Sequence, residues 1–80
     1  MLFVFDQADR WPFTMEHALV PLDMIFIDAR GRVVDVIENA APNTVGPYTP
    51  RAAASFVLEL AGGQARKLGV SRGTAVQRIV

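Results

Sequence analysis

Short apolar runs, each only a few residues long and each cut off by a turn signal, constrain this chain more than any other feature. Leu22 to Ile27 and Val33 to Ile37 are β-prone runs on either side of Asp28-Ala29-Arg30-Gly31-Arg32. Gly31 supplies the positive φ that a three-residue hairpin loop needs, so this stretch reads as a β-hairpin. Leu2 to Phe5 reads as a strand buried on both faces. Phe13 to Ala18 alternates, with Phe13, Met15 and His17 on one side and Thr14, Glu16 and Ala18 on the other. Phe56 to Leu60 also alternates, with Phe56, Leu58 and Leu60 inward and Glu59 outward, and Thr74 to Val80 reads as a last strand. Several short strands, frequent turns and no βαβ rhythm predict a mainly β fold, a small sandwich or barrel-like domain over residues 1–80.

One or two short helices are expected among the turns. Thr49 and Pro50 could cap a single helical turn over Arg51 to Ala54, threonine at the N-cap and proline at the first helical position. Gly63 to Leu68 reads as a short helix, with Gly69 in the left-handed position after it and Val70 folding back as the hydrophobic partner. Residues 6–12 and 41–50 are loops, the second holding Pro42, Asn43, Gly46, Pro47 and Pro50.

Composition narrows the function classes. The chain has 80 residues, an apolar share of 51% and no cysteine, which removes disulfides, thiol nucleophiles, zinc thiolate sites and iron–sulfur ligation. Acidic and basic residues balance at eight each, so no net charge draws in DNA, a membrane or an acidic substrate. The balance hides an asymmetry. The first sixty residues hold four basic against eight acidic residues, a net −4; the last twenty hold four basic and none acidic, +4. No aromatic is interleaved with those cations, so they read as solvated surface and no nucleic-acid partner is expected. No apolar run is long enough to span a membrane, and the start lacks a basic leader. The chain as written predicts a cytoplasmic protein. A longer natural start would open a periplasmic or exported location.

Few residues carry candidate chemistry. His17, the single histidine, would be the base, pH switch or mixed metal ligand, together with Glu16 or Asp23; the alternative is a partly exposed strand histidine. Asp23 interrupts an apolar run, where a carboxylate is costly unless hydrogen-bonded or paired. If Ile27 pairs with Val33, Asp23 faces Ile37 and Ile25 faces Asp35, placing Asp23 and Asp35 diagonally within about 7–8 Å, close enough to share a proton or a cation. The alternative is that Asp23 caps a turn after Pro21. Trp11, Phe13 and Tyr48 could form a platform for a sugar or peptide, or simply lie over a small core. Gly62-Gly63 before the short helix could cradle an anion, or be a plain strand-to-helix turn. Ser55 and Ser71 sit in no nucleophile motif.

The order of these stretches resembles a known family. Met1-Leu2-Phe3-Val4-Phe5, Phe13-Thr14-Met15, Pro21 to Asp28, Gly31-Arg32-Val33-Val34, the Pro42 to Tyr48 loop, Phe56 to Gly62, and Leu68-Gly69-Val70 before Gly73 are together similar to domain of unknown function 192, a group of small bacterial and archaeal proteins. The resemblance covers nearly the whole chain. It implies a compact β-sandwich-like domain with a little helix and carries over no enzyme activity. Members usually run longer at the N-terminus, often behind a signal or lipid anchor. They usually read Phe-Trp-Met-Lys-Asn-Thr where this chain has Phe13, Thr14, Met15, Glu16, His17 and Ala18. Many place a cysteine in the loop where Asn43 and Thr44 stand, and an acid where Thr74 follows Gly73.

Two function classes follow. The first is a small binding or interaction module for a small molecule, sugar or peptide, with Trp11, Glu16, His17, Asp23, Asp35 and Tyr48 as candidate binding residues and no cofactor. The second is a small hydrolase, metal-assisted in one version, using Asp23 or His17. The chain also starts where relatives are already within the sheet. Either this start is internal or the missing strands are absent; absent strands would leave an open edge beside Leu2–Phe5, and a homodimer through that edge is then expected.

Overall fold

The β-branched and aromatic residues of the expected hairpin do pair. In the computed structural model, which describes residues 1–78, β2 (Leu22–Ile27) and β3 (Val33–Ala40) run antiparallel. The Asp28 carboxylate closes their turn by accepting the N–H groups of Arg30 and Arg32, each at 2.9 Å, while Gly31 sits at φ 82°. β4 (Ala54–Ala61) lies on the other side of β2 in an unbroken register from Leu22↔Ala61 to Ile27↔Phe56. β1 (Leu2–Asp9) pairs outside β4, Leu2↔Leu58 to Val4↔Phe56, with an irregularity before Asp9. The sheet order is therefore β1-β4-β2-β3, all antiparallel, with β2 and β4 central.

The fold is mainly β with one short α-helix, as the turn spacing implies. Its layers are one four-stranded sheet with an apolar cluster on each face. Strand alternation sends Met24, Phe26 and Val57 to one face, where Met15 joins them beneath Phe13, Ala18 and Tyr48 from the loops. Ile25, Ile27 and Val33 go to the other, beneath Ala65, Val70 and Val76. Loops and helix do the covering that a second sheet would do in a sandwich. Each fully buried Phe, Ile or Met stabilises the fold by roughly 1.5–3 kcal/mol relative to exposure.

Helix α1 (Gln64–Lys67) ends as read from the sequence. Gly69 takes φ 69°, its N–H donates to the Arg66 carbonyl at 3.1 Å, and the Val70 N–H donates to the Ala65 carbonyl at 2.9 Å, the pair of bonds that closes a helix C-terminus with a buried hydrophobic partner.

Four local expectations are corrected. β1 is an edge strand among the described residues and is not buried on both faces: Phe3 and Phe5 are half-buried, but Leu2 and Val4 are 56% and 67% exposed. Phe13 to Ala18 makes a single bridge, Phe13↔Tyr48, then turns at Glu16–His17 with His17 at φ 68°. Arg51 to Ala54 is not helical, because the Arg51 N–H is held by the Asp35 carboxylate and the chain runs straight into β4. The last segment bridges at Ala75 to Arg32 and then coils into a 3-10 turn, Val76–Arg78, where the Val76 N–H donates to the Gly31 carbonyl and Val76 packs on the second cluster. Residues 79–80 of that expected strand lie outside the described residues.

Candidate functional site

Asp23 is the most deeply placed polar group, fully buried on central strand β2. Its Oδ1 accepts the Asn39 N–H and its Oδ2 accepts the Ala65 N–H, both at 2.9 Å. One side chain thus ties the end of β3 and the first turn of α1 to the middle of the sheet. A carboxylate in this position is stabilised by two charge-assisted bonds and needs no counter-ion. It also occupies the place an anion would take at the start of α1, after Gly62-Gly63. The backbone that it caps is distant in sequence and is not a turn next to Pro21.

Asp35 is spent in the same way. Its Oδ1 accepts the Val36 N–H at 2.9 Å and its Oδ2 the Arg51 N–H at 3.0 Å, with Arg51 Nε 3.7 Å from Oδ1. The Arg51 side chain is largely exposed, so the ion pair itself adds little. Ile27 does pair with Val33, but the register shifts at once, and Phe26 lies opposite Asp35 with Met24 opposite Ile37. The two aspartates are therefore not brought together across the hairpin, and no partner group is common to both.

Glu16 and His17 are exposed on their turn, which is pinned to the proline-rich loop by Met15–Thr44 and Asn43–Met15 backbone bonds of 2.8 and 3.0 Å. The aromatic residues do gather, over the first apolar cluster. Trp11 stacks on Phe5 with ring centroids 4.7 Å apart and 15° between planes, and Phe5 meets Phe13 edge-on at 6.2 Å. Phe13 reaches Phe26 at 6.0 Å and bridges to Tyr48 through the backbone. The Trp11 Nε1–H donates to the Gln7 carbonyl at 3.1 Å. The Thr44 hydroxyl donates to the Ala41 carbonyl, so the Tyr48 hydroxyl donates to Thr44 Oγ1. Both polar tips are occupied; Phe13 and Tyr48 pack on the first cluster, and Trp11 lies outside it, stacked on Phe5. Among the described residues no group of three or more His, Cys, Asp or Glu side chains stands close enough to hold a metal. No helix there is long and apolar enough to cross a membrane.

The concave surface lies elsewhere. A groove of about 360 Å³ runs past Asp35, Arg51 and Arg72, and one of about 320 Å³ past Arg30, Arg32 and Gln77. A third, about 220 Å³, is wholly apolar, lined by Leu2, Ile27, Phe56, Val76 and Gly31. It adjoins the exposed face of β1, where Leu2 and Val4 lie beside Leu58 and Phe56 of β4. The exposure of this strip is what reading Leu2 to Phe5 as buried on both faces missed; the signal was present in the Leu2/Val4 against Phe3/Phe5 alternation. On β4 nearby, burial pushes the Glu59 carboxyl above its ordinary value, an effect partly offset by the Met1 ammonium.

Comparison with known proteins gives a family and a fold. The model of DUF192, described as an uncharacterized ACR, matches residues 1–78. A protein of unknown function from Novosphingobium aromaticivorans DSM 12444 is 33% identical, with a TM-score of 0.89 over 94% of this chain and 54% of that one. A protein named as a candidate transcription regulator, from Sinorhizobium meliloti 1021, is 36% identical, with a TM-score of 0.89 over 94% of this chain and 58% of that one. The chain thus spans little more than half the length of these relatives. No curated protein matches it.

Proposed function

The chain belongs to the DUF192 family, and on that premise we propose that it is a small interaction module that takes up an extended polypeptide segment along the outer edge of β1. The observation that carries this reading is the outer side of β1, which no strand among the described residues pairs and whose exposed side chains, Leu2 and Val4, are apolar. Adding a strand to such an edge supplies main-chain hydrogen bonds, and the apolar groove of Leu2, Ile27, Phe56 and Val76 beside it would receive alternate side chains. The hydrolase alternative has less support. Both Asp23 oxygens are held by backbone N–H groups in the interior, and His17 stands on an exposed turn away from the three grooves.

The test is titration of isotope-labelled protein with a ten-residue peptide of alternating valine and threonine, followed by amide chemical shifts. Saturable shifts at Leu2 and Val4, absent with a peptide carrying proline at every second position, are expected. Shifts that avoid β1 would overturn the proposal.

A further inference from the structure

We infer that the groove past Asp35, Arg51 and Arg72 is a binding site for a small phosphomonoester, whose phosphate lies between the two guanidinium groups. The groove follows β3, across the sheet from β1, and its lining comes from residues 35–72. Its volume of about 360 Å³ falls at the lower end of the roughly 300–1,000 Å³ that small-molecule sites occupy. Both arginines stand on fixed backbone. The Arg51 N–H is held by Asp35 Oδ2 at 3.0 Å. Pro50 before it is fully buried, and its carbonyl accepts the Arg10 Nε–H at 2.7 Å. Arg72 rides on a turn closed by the Ser71 N–H to Thr74 Oγ1 and by the Thr74 N–H to the Ser71 carbonyl, each at 3.0 Å. The Gly73 N–H ties that turn to the Val33 carbonyl of β3 at 2.8 Å.

The charges around the groove leave a positive surplus. Asp35 is compensated by two N–H groups and by Arg51 Nε at 3.7 Å, and Glu38 meets Arg66 Nε at 3.4 Å. The Arg72 guanidinium pairs with no carboxylate among the described residues. Arg51 turns Nε toward Asp35 while its side chain stays largely exposed, so its two terminal nitrogens face no carboxylate among the described residues. Two like charges lining one groove repel, and an anion between them removes that cost. Each guanidinium offers a planar fork of donors. Two forks on one anion match the three free oxygens of a phosphate monoester better than the two of a carboxylate. Val36 and the buried Val70 line the groove beside the arginines with apolar surface, and the Glu38 carboxylate can accept hydroxyl protons. An esterified polyol therefore fills space that free phosphate leaves empty.

Titration of isotope-labelled protein with glycerol phosphate at constant ionic strength, followed by amide chemical shifts, is the experiment. Saturable shifts at Val36, Arg51, Ser71 and Arg72 are expected, with a dissociation constant of about 1 mM for so open a site. Inorganic phosphate binds about threefold more weakly, lacking the ester group, and acetate about tenfold more weakly, lacking the third oxygen. Arg72→Ala and Arg51→Lys each raise the constant about fivefold, the second because lysine keeps the charge and loses the fork. Both side chains are exposed, so the β2 amides keep their positions in either variant. Shifts that do not saturate, or that persist when Arg51 and Arg72 are both changed to alanine, would overturn the site. Inorganic phosphate bound as tightly as glycerol phosphate would overturn the ester as its ligand, and acetate bound as tightly would overturn the phosphate.

Discussion

Asp23 shows how a residue can look catalytic in sequence and act as a tie in structure. A carboxylate amid apolar neighbours suggests a perturbed acid, and sequence gives no means to see that two backbone N–H groups, from Asn39 and Ala65, arrive from 16 and 42 residues away. Replacing it tests the difference. Asp23→Asn keeps the shape but presents an NH₂ to one of the two donors, leaving a buried N–H unpaired at a cost of about 1–3 kcal/mol. A lower urea midpoint of that size is expected, with the peptide response at Leu2 and Val4 retained. If stability were unchanged, the tie would not hold β3 and α1 as described. Asp35 was legible as a polar residue within a strand, but its partner Arg51 was not, because that contact depends on how the loop before β4 returns to the sheet.

At the scale of elements, what sequence revealed was what local chemistry decides. The Asp28–Arg32 turn and the close of α1 each depend on residues within a few positions of one another, and both form as read. Gly69→Ala should cost about 1 kcal/mol, since a Cβ is strained at φ 69° where the helix turns back to bury Val70. A thermal melt checks it, and an unchanged midpoint would mean that the turn relaxes elsewhere. The readings that failed were those in which tertiary contacts choose the backbone. Phe13 and Met15 do face the core, as their alternation implies, yet the chain then turns at Glu16–His17 because Met15 bonds to the 41–50 loop on both sides. Likewise the register shift between Phe26 and Ile27 is invisible in the hairpin sequence, and it alone parts Asp35 from the position opposite Ile25.

For the molecule as a whole, the strand order β1-β4-β2-β3 sets a gradient of security. β2 is paired on both sides and buried on both faces, whereas among the described residues β1 is held on one side only. Hydrogen exchange should therefore be slowest at the amides of Met24 to Ile27 and fastest within the sheet at Leu2 and Val4. Equal protection of the two strands would contradict the edge assignment. The same order also bears on synthesis. Met1 and Glu59 share bonds but stand 58 residues apart, and at about 5–20 residues per second a ribosome needs several seconds to pass from one to the other. Through that interval the apolar stretch of β1 has been made and β4, its neighbour among the described residues, has not. The surface that the mature molecule offers to a partner is thus the one that the growing chain must keep from strangers, and a holdase or a neighbouring ribosome's product would meet it there first.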